Sequence, residues 1–219
     1  MIFAAGFGTR MAPLTQTRPK PLIEVAGKSL LAHALDPARA AGLAPITINA
    51  HYLGDQIAER VSGEKDVILQ REEPELLDTG GGLKAALPAL PGSSVYTMNS
   101  DAVWAGPNPF EALRNEWAEG IEALVLCVPI ERAEGRTDKG DFSVDADGRV
   151  SRGPGFVYTG AQIICRDPVA AHPENIFSFN VLWDQMIARG TLFAAVYPGR
   201  WCDVGRPSSI PLAEAMLNV

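Results

Sequence analysis

The chain reads as an α/β protein built on a mostly parallel sheet, and three observations carry that prediction. Apolar runs of strand length alternate with segments of helical period from one end to the other. Several runs are continuously apolar, as expected of strands covered on both faces. No internal repeat, low-complexity block or long linker breaks the alternation, so residues 1–219 are read as one domain.

The first strand covers residues 1–5 and runs directly into a two-glycine turn. A helix over 29–41 follows, with Ser29 as a candidate N-cap and Gly42 where a C′ glycine is favoured. Strands at 45–51, 66–70 and 94–99 are followed by helices at 54–61, 81–87 and 109–118. Strands at 123–130 and 155–165 have no helix between them. The intervening residues 138–152 are polar and turn-rich (Lys139-Gly140-Asp141-Phe142, then Asp145-Ala146-Asp147-Gly148). They predict a small β-hairpin set outside the main sheet, either walling a substrate pocket or decorating the surface. A helix at 180–188, strands at 191–197 and 200–204, and a helix at 207–217 complete the chain; Pro207 suits a first helical turn. Ligands of such sheets lie beyond the carboxyl ends of the strands, which directs attention to the loops after Ala5, after Asn99 and around Asp203. Because a central strand opens at residue 1, a few residues are expected to precede it in the full gene product.

Composition narrows the function. A net charge of −7 argues against general nucleic-acid binding, which rests on many Lys and Arg contacts to phosphate. No apolar run approaches the roughly 20 residues that span a bilayer, and no signal sequence opens the chain, so a cytoplasmic protein is expected. Cys127, Cys165 and Cys202 form no C-x-x-C pair, which fits a reducing compartment. His33, His51 and His172 have no metal-ligand spacing, and no nucleophile–histidine constellation is present.

Positive charge concentrates where the glycines are. Within residues 1–28, Arg10, Arg18, Lys20 and Lys28 face the single acid Glu24. Glycines at 6 and 8 let backbone amides approach a phosphate, Arg10 can fork onto its oxygens, and Lys20 is held between Pro19 and Pro21. Two familiar phosphate fingerprints fail here. A dinucleotide G-x-G-x-x-G would need glycine at position 11, which is Met11. A P-loop ending at Ala26-Gly27-Lys28-Ser29 would need glycine at position 22, which is Leu22.

Further candidates are spread along the chain. Asp78-Thr79-Gly80-Gly81-Gly82 precedes a helix, and Asn99-Ser100-Asp101 closes an apolar strand. Tyr158-Thr159-Gly160 places a glycine inside a strand, a sign of close approach by a ligand or another backbone. Trp201-Cys202-Asp203-Val204-Gly205-Arg206-Pro207 ends the last strand. Asp101 is a candidate ligand for Mg²⁺, which takes one or two protein carboxylates and otherwise phosphates and water.

The stretch Gly6-x-Gly-Thr-Arg-Met-x-Pro-Leu-Thr, with Arg18-Pro19-Lys20-Pro21-Leu22 and Val25-x-Gly-Lys, closely resembles the signature of the sugar-1-phosphate nucleotidyltransferases. The short chain is most similar to the N-acetylmuramic acid 1-phosphate uridylyltransferases of cell-wall recycling, over essentially its whole length. That resemblance implies a Rossmann-like mixed sheet with helices on both faces. It implies an enzyme that joins an NTP, with UTP favoured, to a sugar 1-phosphate and releases pyrophosphate. Ala5, Gly6, Gly8, Thr9, Arg10, Lys20, Gly80, Gly81 and Asn99 would bind the nucleotide, with Arg10 and Lys20 catalytic. Asp101 and Asp203 would together hold Mg²⁺. Gly140, Tyr158, Thr159 and Gly160 would meet the sugar, with the 138–152 hairpin over it. Asp78 stands where the family has a longer acid, and Arg206 where it commonly has threonine.

The implied chemistry needs no histidine. A phosphate monoester loses its second proton near pH ~6, so its oxygen can attack an α-phosphorus without a general base. The expectation is therefore a direct, inverting displacement with nucleotide bound first, in a monomer or small homo-oligomer. A hexose-1-phosphate or phosphocholine nucleotidyltransferase using GTP, dTTP or CTP is the alternative within the family. A nucleotide-binding regulatory module that has lost catalysis is the alternative outside it.

Overall fold

The computed structural model describes residues 1–218. In chain order the first half comprises β1 (Ile2–Phe3), β2 (Glu24–Val25), β3 (Lys28–Ser29), α1 (Leu30–Ala40), β4 (Ile46–Ala50), α2 (Gly54–Val61), β5 (Val67–Arg71), α3 (Asp78–Ala86), β6 (Ser94–Asn99), β7 (Ala102–Ala105) and α4 (Pro109–Glu116). The second half comprises β8 (Ala123–Pro129), β9 (Ala133–Glu134), β10 (Phe142–Val144), β11 (Val150–Arg152), β12 (Phe156–Cys165), α5 (Arg166–Ala170), α6 (Phe179–Arg189), β13 (Leu192–Val196), β14 (Arg200–Asp203) and α7 (Ser209–Leu217).

The main sheet runs in the order β13-β8-β12-β6-β1-β4-β5. Only β12 is reversed along that path, so the sheet is mixed yet mostly parallel, as expected. Its central strands are buried throughout, β4 along its whole length and β8 at every residue but Pro129, which is why they read as continuous apolar runs. Helices cover both faces. Leu31 and Leu35 of α1, Ile57 of α2 and Phe110 of α4 pack on one face against Ile48, Met98 and Leu126. Leu83 of α3, Val169 of α5 and Trp183 of α6 pack on the other against Val95, Val125 and Cys127.

Local signals account for several boundaries. The Ser29 hydroxyl accepts from the Ala32 amide at 3.2 Å, capping α1, and Gly42 follows its C-cap at φ 72°. Pro207 lies two residues ahead of α7, where its carbonyl accepts the Ile210 amide at 3.2 Å.

One expectation is corrected and one strand is added. The 142–152 hairpin is not outside the main sheet, because Phe142 of β10 pairs with Phe156 on the edge of β12. Strand β7 carried no separate sequence signal, yet it pairs antiparallel with β14 and, through β14, with β9 in a second sheet. A third apolar cluster joins that small sheet to the first loop: Met11, Ile23 and Val25 pack with Val103, Cys202, Val204 and Met216.

Candidate active site

Strand β1 lies between β4 and β6, so successive crossovers leave it in opposite directions. The carboxyl end of such a switch point is where open α/β sheets bind ligands. A cleft of about 320 Å³ opens there, bounded by the loops after β1 and β6, by Asn49 of β4 and by the start of α3.

Of the predicted nucleotide ligands, Ala5, Gly6, Gly8, Thr9, Arg10, Lys20 and Asn99 all line this cleft. Gly8 sits at φ 64°, and a Cβ there would stand 3.0 Å from both Thr15 and Lys20. That left-handed conformation in a crowded turn selects glycine. The Gly8 carbonyl accepts from the Met11 amide at 2.9 Å and the Thr15 hydroxyl at 2.9 Å, so the loop is closed by its own groups. Lys20 opens a short 3₁₀ turn flanked by Pro19 and Pro21, and the segment is stiffened as expected.

Asp101 and Asp203 meet although some hundred residues separate them. Ala102 pairs with Asp203 across β7 and β14, and the Val204 amide donates to the Asp101 carbonyl at 2.8 Å. Lys20 Nζ contacts Asp101 Oδ2 at 2.8 Å. Burial works to raise the Asp101 carboxyl, but attraction and a hydrogen bond from Lys20, with help from Arg10, hold it below the ordinary carboxylate range. Asp203 is buried, and burial together with the charge of Asp101 pushes it above that range; Lys20, Arg136 and Arg10 offset this only in part. The two carboxylates thus form a pair with surplus negative charge, a donor set that suits a hard divalent cation. Among the described residues no third acid, histidine or cysteine joins them. This fits Mg²⁺, which leaves its remaining positions to phosphates and water.

The glycine run on α3 has a different cause from the one expected. Gly80 and Gly81 do not line the cleft, whereas Leu76, Asp78 and Thr79 do. A Cβ on Gly80 would stand 2.3 Å from the Phe177 ring, and one on Gly81 would stand 2.1 Å from the Asn175 carbonyl oxygen. The Gly81 amide donates to the Phe177 carbonyl at 3.0 Å. These glycines let α3 dock against the segment preceding α6, and the Thr79 hydroxyl accepts from the Phe179 amide at the same junction.

The residues expected to meet the sugar lie outside this cleft. None of Gly140, Tyr158, Thr159 and Gly160 lines the cleft. The Thr159 hydroxyl is buried and donates to the Leu126 carbonyl at 2.6 Å, so it is engaged within the sheet rather than free for a ligand. Residues 158–162 form an irregularity in the pairing of β12 with β8, and a Cβ on Gly160 would stand 2.8 Å from the Asn99 side chain. Tyr158 stacks edge-on to Trp183 at 4.9 Å, and its amide donates to Asp141 at 2.9 Å. Gly140 lies at the foot of the hairpin against the Phe156 carbonyl.

Three residues at or beside the cleft went unread in the sequence. Arg136 follows β9, which lies beside β14, and pairs with Asp138 at 2.8 Å and Asp141 at 3.3 Å while feeling the charge of Asp203. Nothing marked it in a polar, turn-rich segment. Asn49 lines the cleft and Glu72 lies fully buried behind it. Asn49 was signalled only as a polar residue inside the strand β4, and Glu72, one residue after β5, carried no signal.

A family model described as MobA-like NTP transferase domain matches residues 1–194. The chain is 34% identical to the N-acetylmuramate alpha-1-phosphate uridylyltransferase of Caulobacter vibrioides, over 99% of this chain and 96% of that protein. It is 40% identical to the protein of the same name from Neisseria meningitidis serogroup B, with the same coverage of both. Among solved structures, HddC from Yersinia pseudotuberculosis complexed with GMP-PN superposes with a TM-score of 0.79 at 22% identity, covering 99% of this chain and 97% of that one. That last likeness concerns the fold.

Proposed function

The chain belongs to the MobA-like NTP transferase family, and from that membership we propose that it transfers the uridylyl group of UTP to N-acetylmuramate α-1-phosphate. The observation that carries the proposal is the pairing of Lys20 with Asp101 in a glycine-loop cleft at the switch point, with Asp203 set beside Asp101 by the pairing of β7 with β14. Identity of 34–40% over nearly the full length of two relatives bearing that activity in their names supports the choice of substrates.

In the proposed reaction an oxygen of the sugar phosphate attacks the α-phosphorus of UTP. The new P–O bond forms as the bond bridging the α- and β-phosphorus breaks, and its electron pair leaves with pyrophosphate. The loop around Gly6 and Gly8 holds the triphosphate, and Arg10 offsets charge on the leaving group. Lys20 moves from its pairing with Asp101 to the α-phosphate. Asp101 and Asp203 would hold a Mg²⁺ ion, which supplies Lewis-acid neutralisation of the phosphate oxygens when bound. Arg136, close enough to Asp203 to feel its charge, receives the anionic sugar phosphate and exchanges Asp138 for it. Holding two polyanions in line is the main catalytic task, and no general base is required.

Pyrophosphate release measured with UTP, GTP, CTP and dTTP against a panel of sugar 1-phosphates tests the proposal. Turnover should be greatest with UTP and N-acetylmuramate α-1-phosphate. Turnover with another pair and none with this one overturns the substrate assignment; none with any pair overturns the enzymatic reading.

A further inference from the structure

Glu72 is fully buried, and both of its carboxyl oxygens are taken by uncharged N–H donors. Oε1 accepts from Asn49 Nδ2 at 2.7 Å, and Oε2 accepts from the Leu77 amide at 2.9 Å. Asn49 passes the contact on, because its Oδ1 accepts from the Ala4 amide at 2.7 Å. The Glu72 backbone is tied to the same place: its amide donates to the Ala50 carbonyl at 2.9 Å and its carbonyl lies 2.7 Å from His51 Nδ1. Helix α3 closes over the group, since a Cβ on Gly82 would stand 2.8 Å from Oε1.

Burying a carboxyl group is unfavourable, so a purely structural position is better filled by an apolar or neutral residue. What a carboxylate provides, and an amide does not, is acceptor character at both oxygens. An asparagine side chain can present either its oxygen or its NH₂ to the Ala4 amide, and only the oxygen bonds it. Facing Glu72, Asn49 must turn its NH₂ toward the carboxyl group, which leaves its oxygen on Ala4. The second Glu72 oxygen simultaneously fixes Leu77, one residue before α3.

Ala4 lines the cleft from the loop after β1, and Leu76 and Asp78, on either side of Leu77, line it from the segment that enters α3. We infer that Glu72 is a positioning residue for the nucleotide, setting the relative placement of these two segments through Asn49 and Leu77. Its role as a nucleotide-positioning group rests on the nucleotidyl-transfer reading; the relay itself does not.

The test is a pairwise exchange. Glu72→Gln puts an NH₂ against either Asn49 or Leu77, donor against donor, and should raise the KM for UTP about tenfold with little change in kcat or in the KM for the sugar phosphate. Asn49→Asp sets two acceptors face to face and should do the same. The double variant, Glu72→Gln with Asn49→Asp, reverses the polarity of the middle bond and leaves its two neighbours intact. The new amide NH₂ donates to the new carboxylate, whose other oxygen accepts from the Ala4 amide, while the new amide oxygen still accepts from the Leu77 amide. Its KM for UTP should return to within about threefold of wild type. Hydrogen exchange at the Ala4 amide should speed up in each single variant and slow again in the double. Exchange is read without turnover, so a wild-type protein inactive with UTP defeats the functional reading and leaves the relay still tested. If Glu72→Gln fails to fold, the double variant carries the test. A double variant that stays unfolded, or no recovery of KM and exchange, overturns the inference, as does a Glu72→Gln variant whose UTP KM and Ala4 exchange match wild type.

Discussion

Replacing Gly81 by alanine separates two explanations of the glycine run on α3. If the glycines lie against a nucleobase, the substitution weakens UTP binding and leaves the empty protein as stable as before. If they permit helix docking, the empty protein itself is destabilised. The structure favours docking: the new methyl would stand 2.1 Å from the Asn175 carbonyl oxygen and 3.0 Å from its carbon. Backbone cannot rotate aside, so α3 and the 175–177 segment must separate by roughly 1 Å to restore ordinary contact. The separation weakens the bond from the Gly81 amide to the Phe177 carbonyl. Overpacking costs ~1–3 kcal/mol and the hydrogen bond ~1 kcal/mol, while alanine regains ~1 kcal/mol of helix propensity. The net loss is about 1–3 kcal/mol, and at ~2–4 °C per kcal/mol the midpoint falls by about 2–12 °C. Thermal denaturation followed by circular dichroism, without nucleotide, measures this directly. Gly63→Ala is the matched control, because nothing lies within 4 Å of its Cβ position. That variant should be neutral or gain ~0.4–1 kcal/mol. A Gly81→Ala protein that melts with wild type would refute the packing argument, and a raised UTP KM alongside it would return Gly81 to base recognition.

Three further outcomes are expected. Asp203→Asn should abolish at least ~99% of turnover yet raise the melting temperature in metal-free neutral buffer, since it removes a buried charge repelled by Asp101. That stabilisation should fade on acidification: the folded-state pKa of Asp203 is raised, so its penalty is full above that value and absent below the unfolded carboxylate pKa. A gain that persists at pH 3 contradicts this cause. Thr159→Val removes a bond to Leu126 and should cost about 1 kcal/mol of stability without changing the KM for the sugar phosphate; a selective rise in that KM would restore Thr159 to the sugar site. Arg136→Gln should raise the KM for the sugar phosphate at least ~tenfold while leaving the KM for UTP within about twofold, read from initial rates with each substrate varied in turn.

The eight predicted strands all form within a few residues of their expected bounds, and the central ones, β4 and β8, are the contiguous apolar runs whose burial on both faces is written in their own residues. The loop from Gly6 to Lys20 was legible for a similar reason, since a tight turn with clustered cations is a local pattern. Reading failed where the partner lies elsewhere in the chain. Gly80 and Gly81 resembled a ligand-approach loop, but the Phe177 ring approaches the first and the Asn175 carbonyl the second. Thr159 stands in a strand expected to meet the sugar, but its hydroxyl already bonds Leu126.

By itself, then, the sequence determined the alternation of elements, the mostly parallel sheet and the identity of the charged groups available for phosphate and metal. Tertiary structure alone decided that the four-residue strand β7 brings Asp101 beside Asp203, that Arg136 stands near them, and that Glu72 reaches Ala4 through Asn49. Periodicity reports how deeply a residue is buried. Which remote donor or acceptor satisfies a buried polar group depends on the packing of elements far apart in the chain, and no local pattern encodes it.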